Sequence, residues 1–233
     1  MCSRKTDDER RAHARRSRLG QGATEPASKR IAAQPLSSGD RRAVRLPYDI
    51  DRLTAVALRV FAERGYDGAS MDDVAREAGI TKAAIYHHVS GKEELLARGL
   101  NGALDALFAI LAEPGADRGD PDARLRYIVR RVAETTFTLL PELSVLFRVR
   151  PTCEAARKAL ERRRVFDRRI ADLIRQAQRD GALSSEVEPG LASRLIFGMS
   201  NSVVEWYRPG GALGPSEIAA AVERLAFEGL RQR

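Results

Sequence analysis

Residues 61–96, FAERGYDGASMDDVAREAGITKAAIYHHVSGKEELL, decide how this chain folds. Ser70 is a helix N-cap, and Asp72 and Asp73 suit the positive end of the helix it opens, which runs over about Met71–Ala78. Gly79-Ile80 closes that helix. Thr81 is a second N-cap, for another short helix reaching roughly His88. Ser90 is a third, and Glu93 three residues on predicts a capping box for a helix running to about Leu111. Upstream, Ile50, Leu53, Ala57, Val60 and Phe61 recur at helical spacing, and Gly65 follows Arg64 as a stop. Val74, Ala75, Ala78, Ile80, Ile85 and Val89 are the inward positions that lock the short helices to each other and to Phe61. Ala75 is small where the two should approach closest.

Two short helices joined by a Gly-containing turn make the helix-turn-helix geometry, whose second helix enters the major groove of DNA. Lys82, Ala83, Ala84, Tyr86 and His87 point outward from that second helix. Thr81 and the free N–H groups at the helix start can hold a phosphate. Lys82 reaches far enough for guanine O6/N7, and Ala83 or Ala84 can pack on a thymine methyl. Tyr86, His87 and His88 can donate hydrogen bonds to phosphates. Lys92, in the first turn of the next helix, opposes the helix-dipole preference, a cost that a nearby phosphate would offset. Ser70, opening the first helix of the pair, completes the set of candidate DNA contacts.

The whole stretch, in register, resembles the N-terminal domain of the tetracycline-repressor (TetR) family. The resemblance lies in the F-x-x-x-G-Y segment, the A-G-I-T turn, the Tyr86-x-His88 pair and Lys92-Glu93-Glu94-Leu95, and covers residues 50–95. In that family the positions matching Thr81, Lys82, Ala83, Ala84, Tyr86, His87, His88 and Lys92 approach DNA. Val89 departs from the more common phenylalanine, and Ala83-Ala84 from frequent Gly, Pro, Ser or Thr, which places sequence readout on Lys82 and Tyr86.

Beyond Glu113-Pro114-Gly115, breakers at Pro121, Pro141, Pro151, Gly181, Pro189-Gly190 and Pro209-Gly210-Gly211 separate helical stretches at about 121–139, 142–149, 152–180, 188–207 and 215–231. No strand-like alternation competes, so the expectation is an all-α chain of about nine helices. The expected division is a basic tail over 1–46, a three-helix DNA-binding domain over 47–95 and a helical domain over 96–233. The resemblance implies that this last part binds a ligand and dimerises through the last two long helices, 188–207 and 215–231. Two stripes support it: Leu191, Leu195, Met199, Val203 and Trp206, and Ile218, Val222, Leu225 and Ala226. Intrachain core is the other account of these stripes. A two-fold homodimer matches a palindromic operator.

Phe108, Tyr127, Thr135, Phe137, Phe147, Phe166, Asn201 and Trp206 are candidates for an apolar pocket with a few polar groups, against core packing as the ordinary account of each. The ending SNSVVEWYRPGGAL is similar to a subset of the family that regulates fatty-acid and steroid breakdown, some of whose members respond to acyl-CoA esters. The arginines of 157–175 can meet the phosphates of such a ligand or form a solvated helix face. A repressor released by a small hydrophobic effector, such as an acyl-CoA, is the reading that follows; a drug-responsive repressor of an efflux pump is its nearest rival.

Composition narrows the classes. The net charge of +8 lies mostly in residues 1–47, with twelve Lys/Arg against five Asp/Glu, whereas residues 48–95 hold six Lys/Arg against nine Asp/Glu. Bulk charge therefore does not identify the folded part as a DNA binder; local placement must. The tail, with Arg41, Arg42 and Arg45 nearest the first helix, reads as a solvated segment, as sequence ahead of the true start codon, or as an arm making phosphate or minor-groove contacts. A non-specific architectural DNA binder working through that tail is the alternative from another class. No H-E-x-x-H, P-loop, G-x-S-x-G or paired-Cys site is present, so neither an enzyme nor a cofactor or metal site is expected. There is no signal peptide and no apolar run near the ~20 residues a membrane span needs, which predicts a cytoplasmic protein. Two cysteines, Cys2 and Cys153, cannot support a disulfide scaffold. Cys153, beside Arg150 and Arg157, is more simply an inert thiol than a redox sensor.

Overall fold

The structure, a computed structural model, describes residues 49–229. The basic segment 1–46, with its candidate arm and Cys2, lies outside the described residues. Ten helices and no strands make up the described part: α1 (Ile50–Arg64), α2 (Met71–Ala78), α3 (Lys82–Tyr86), α4 (Lys92–Ile110), α5 (Pro114–Asp117), α6 (Pro121–Thr138), α7 (Leu140–Arg148), α8 (Glu154–Arg179), α9 (Pro189–Trp206) and α10 (Pro215–Glu228). The all-α expectation holds.

The local chemistry explains most boundaries. Asp49 accepts from the Arg52 amide to cap α1, and Asp120 accepts from Ala123 to cap α6. Glu188 takes the Gly190 and Leu191 amides at the start of α9. α5 was not expected, because Pro114-Gly115 reads as a breaker. Proline at the first position of a helix lacks only an N–H that would be unpaired anyway, so one turn forms there. For the same reason Pro141 sits inside the first turn of α7 and not ahead of it. α3 stops at Tyr86, two residues short of expectation, with His87 as its C-cap. α10 stops at Glu228 rather than 231, with Gly229 following.

The expected capping box at Ser90 and Glu93 does not form. Gly91 is the N-cap of α4 and makes no side-chain cap. The Ser90 amide and hydroxyl donate instead to Glu94, at 2.8 and 3.0 Å. Glu93 is used elsewhere: it accepts at 2.8 Å from the Ala155 amide in the first turn of α8. A free N–H group at a distant helix start thus captures the carboxylate that local spacing assigned to Ser90.

One continuous apolar core runs from Leu53 to Val222. α4 is its spine, packing against α1, α6, α7 and α8. At the α1–α4 crossing Gly99 has no side chain because a Cβ there would lie 2.3 Å from Leu58 Cδ1, 2.6 Å from Cδ2 and 2.7 Å from Cγ. α6 packs against α8, α9 and α10, and α8 against α9. The proposed boundary at residue 95 falls inside α4, which belongs to both halves of the core.

Candidate DNA-reading surface and sensor interior

α2 and α3 meet around two caps and one turn. The Ser70 hydroxyl accepts from the Asp73 amide at 3.2 Å, and the Asp73 carboxylate accepts from the Ser70 amide at 3.0 Å, which closes a capping box. Asp73 also receives Arg64 and Arg76 at 2.8 and 2.9 Å. The Ser70 hydroxyl and amide, followed by Arg76, hold its carboxyl at about 2, well below the usual carboxylate range. Gly79 then turns the chain with φ 65° and ψ 28°, and its N–H donates to the Ala75 and Arg76 carbonyls. A left-handed residue at this point favours glycine. Thr81 caps α3 through its hydroxyl, which accepts from Ala84 at 3.2 Å.

Only Ile85 of α3 is buried, at 0 % exposure, and Val74, Ala75, Ala78 and Val89 close around it while Ile80 is half-buried. Thr81, Lys82, Ala83, Tyr86, His87 and His88 are exposed, and Ala84 is half-buried. Tyr86, a large aromatic side chain, is 48 % exposed. α3 is thus anchored by one side chain and turns its other positions outward, as a groove-reading helix requires.

Besides Thr81, three expected contact residues are already engaged. The Lys82 ammonium pairs with Asp72 at 2.9 Å, a bond that raises its pKa. Both partners are well exposed, so this pair contributes little to stability and a phosphate can displace it. Lys92 is held more firmly. Its ammonium donates to the Ala69 carbonyl at 2.7 Å and lies 4.2 Å from the centre of the Tyr66 ring. It tethers the loop ahead of α2. Ser70, exposed, is occupied in the capping box.

That loop also meets the second half of the chain. Tyr66 stacks edge-on against Phe61 at 5.3 Å. Burial, then contact with the Cys153 thiol, pushes its hydroxyl well above the ordinary phenol value. The Thr152 hydroxyl donates to Asp67 at 3.2 Å, and Arg148 reaches the Ala62 carbonyl at 3.3 Å while pairing with Glu205 at 2.6 Å. None of Tyr66, Glu93, Arg148 or Glu205 was singled out from sequence for these contacts. Tyr66 carries a signal as part of the F-x-x-x-G-Y segment, and Glu93 one for a different partner, Ser90.

The eight candidate effector residues do not form one site. Phe108, Phe166 and Phe197 make an edge-to-face chain at 5.7 and 6.0 Å, with Phe166 buried at 4 % exposure. Phe147 lies under the Arg163 guanidinium at 4.7 Å, and Phe137 packs edge-on to Tyr207 at 4.7 Å. Thr135 and Asn201 are half-buried. Tyr127 is committed to structure: its hydroxyl donates to Glu113 at 2.5 Å, beside the Arg131–Glu113 pair. Trp206 is 51 % exposed on the outside of α9, with its indole N–H on the Ser202 hydroxyl.

The stripes assigned to α9 and α10 divide between two faces. Val203, Ile218 and Val222 are buried in the chain's own core, whereas Leu191, Leu195, Trp206 and Leu225 are 47, 60, 51 and 41 % exposed. α9 is apolar on both sides, and only one side is covered by this chain. Among the described residues no helix is long and apolar enough to cross a membrane, and no group of three metal-ligating side chains occurs.

Comparison with known proteins gives two family matches along the chain. Residues 53–98 match the sequence family described as bacterial regulatory proteins, tetR family, and residues 118–230 match the tetracyclin repressor-like C-terminal domain. The crystal structure of a TetR-family transcriptional regulator from Streptomyces coelicolor A3 is 50 % identical, with a TM-score of 0.73 over 77 % of this chain and 91 % of that one. The HTH-type transcriptional repressor KstR2 of Rhodococcus jostii is 28 % identical over 200 residues, 76 % of this chain and 89 % of its own length. AibR, solved in complex with isovaleryl coenzyme A and operator DNA, is 25 % identical with a TM-score of 0.67, covering 76 % of this chain and 97 % of that one.

Proposed function

Because the chain belongs to the TetR family of transcriptional regulators, we propose that it is a repressor that binds a palindromic operator as a homodimer and leaves it when a small hydrophobic effector of the acyl class binds. The observation that carries this reading is α3, held by Ile85 and turning Thr81, Lys82, Ala83, Tyr86, His87 and His88 outward. Lys82 and Tyr86 read the major groove, with Ala83 and Ala84 against thymine methyls and Ser70, Thr81, His87, His88 and Lys92 at the backbone. In this reading residues 47–95 form the reading head and 96–233 the sensor, and the protein works in the cytoplasm, where its operator lies.

The dimer is supported by the uncovered apolar side of α9 and α10, the two helices that also bury Val203 and Val222. An acyl-CoA effector is supported by the likeness to AibR and its isovaleryl coenzyme A complex. A repressor role agrees with the likeness to KstR2.

The test is a band shift with the chain's own promoter, using Lys82→Ala combined with Tyr86→Ala. Lys92→Ala is a poorer probe, since losing its hydrogen bond to Ala69 would loosen the loop before α2. Each good base contact is worth about 1–3 kcal/mol, so the double variant should bind roughly 30-fold or more weakly with its fold intact. Unchanged affinity would remove this docking arrangement.

A further inference from the structure

The sensor interior holds a polar site that the packing alone does not explain. α8 and α9 are consecutive long helices joined by residues 180–188, and Phe166 meets Phe197 edge-on. The charge of Asp167 is felt by Arg194, as an antiparallel register around that ring pair requires. In such a pair, a turn back along α8 faces a turn forward along α9. Arg163, three residues before Phe166, therefore stands level with Ser200, three after Phe197.

Both groups lack hydrogen-bond partners. Ser200 is 0 % exposed, and its hydroxyl oxygen finds no partner. The Arg163 guanidinium rests on the Phe147 ring, and among the described residues no carboxylate or carbonyl accepts a hydrogen bond from it. A ring face does not satisfy five N–H donors. Asp167 lies one turn further along α8 without bonding to Arg163, and it faces Arg194 as well. Arg194 also feels the charge of Glu188, so two cations stand against two carboxylates, and Arg163 makes no hydrogen bond to either. Burial acts on both, pulling the Arg163 guanidinium below its ordinary value and pushing the Asp167 carboxyl up. Arg163 is half-buried, whereas Ser200 is fully buried, and an unpaired buried hydroxyl of that kind is rare in native interiors and calls for an explanation.

We propose that Arg163 and Ser200 are the head-group site of the effector, donating hydrogen bonds to the acyl oxygens of an apolar carboxylic compound whose chain lies against Phe166 and Phe197. The proposal rests on the ligand-responsive reading above and goes beyond it by fixing the effector's charge and the residues that read it. A cationic drug would bring its charge against the Arg163 guanidinium, so this site disfavours it. A free acid and its coenzyme A thioester share the acyl oxygen, and experiment separates them.

Release of the full-length protein from operator DNA is followed by fluorescence anisotropy. The probes are hexanoate, decanoate and palmitate, their coenzyme A thioesters, decanol and decylamine, each scored against the ligand-free affinity of the same variant. At least one acid or thioester should release the wild type. Arg163→Gln should weaken that response roughly 10- to 100-fold, the range of a charge-assisted bond, and Ser200→Ala by about 2- to 10-fold. Release by the acid alone identifies a carboxylate as the ligand group; release by the thioester alone identifies the thioester carbonyl. The proposal is overturned if both variants respond like the wild type, or if decanol or decylamine works as well as decanoate. It is also overturned if no acid or thioester releases a wild type that still binds operator, an outcome that leaves the regulator reading standing. A wild type that binds no operator would instead sink that reading.

Discussion

Replacing Gly99 by alanine puts a methyl group where no space exists, and the size of the effect follows from the α1–α4 crossing. The added Cβ would lie within 2.7 Å of three atoms of Leu58, itself 1 % exposed. Because Cγ is among them, turning the Leu58 side chain about its last bond does not clear the clash. Overpacking of this kind costs about 1–3 kcal/mol, and three contacts on a fully buried leucine place it near the top. Alanine in mid-helix recovers about 1 kcal/mol over glycine. The net loss is about 2 kcal/mol, a fall in Tm of roughly 4–8 °C for a domain of this size. Leu58→Ala alone, by opening a cavity, should cost about 3 kcal/mol. In the double variant the new methyl enters the vacated space, so the clash disappears and the helix gain remains. The pair should then be about 2 kcal/mol less stable than wild type, where simple addition gives about 5 kcal/mol. Thermal and urea unfolding followed by circular dichroism, at one fixed protein concentration because association shifts Tm, measure all four corners of the cycle. A neutral Gly99→Ala, or a double variant whose losses merely add, would refute the account of why glycine stands there.

Two further outcomes follow from the same structure. Asp73 has a folded value of about 2 against an ordinary 3.8, so its stabilising contribution is complete above about 3.8 and is lost as the pH falls through about 2. Asp73→Asn should lower stability at neutral pH and flatten acid unfolding across that window; an acid titration as steep as wild type would contradict it. Leu195, 60 % exposed on α9, should tolerate a charge as far as the chain's own fold is concerned. Leu195→Glu is expected to yield a folded monomer by analytical ultracentrifugation with much weaker operator binding, and a persistent dimer would displace the α9–α10 interface.

What could be read in advance follows the range of the forces involved. Ser70, Thr81 and Gly79 act within four residues of themselves, so their caps and turn are written in local sequence and appear as expected. Glu93 has the right spacing from Ser90 but serves an amide 62 positions away, which no local rule reports. Periodicity marks α9 as apolar but does not say which side meets the chain's own core. Val203 and Leu195 look alike in sequence and lie on opposite sides of that division. Among the many α8 arginines, Arg163 carries no mark of its own; only the position of Phe147 on another helix turns it inward. Residue type alone detects the Phe108–Phe166 contact but also takes in Tyr127, bound to Glu113, and the outward Trp206.

Lys92 and Glu93, neighbours in the first turn of α4, hold the carbonyl ahead of α2 with one side chain and the first turn of α8 with the other. Two adjacent residues thereby fasten three segments far apart in sequence. For anyone grafting this head onto a foreign sensor, a splice at residue 95 would keep both side chains yet discard the amide that Glu93 was built to meet. The transferable cassette is consequently discontinuous: it comprises α1 through the start of α4 together with the junction between α7 and α8.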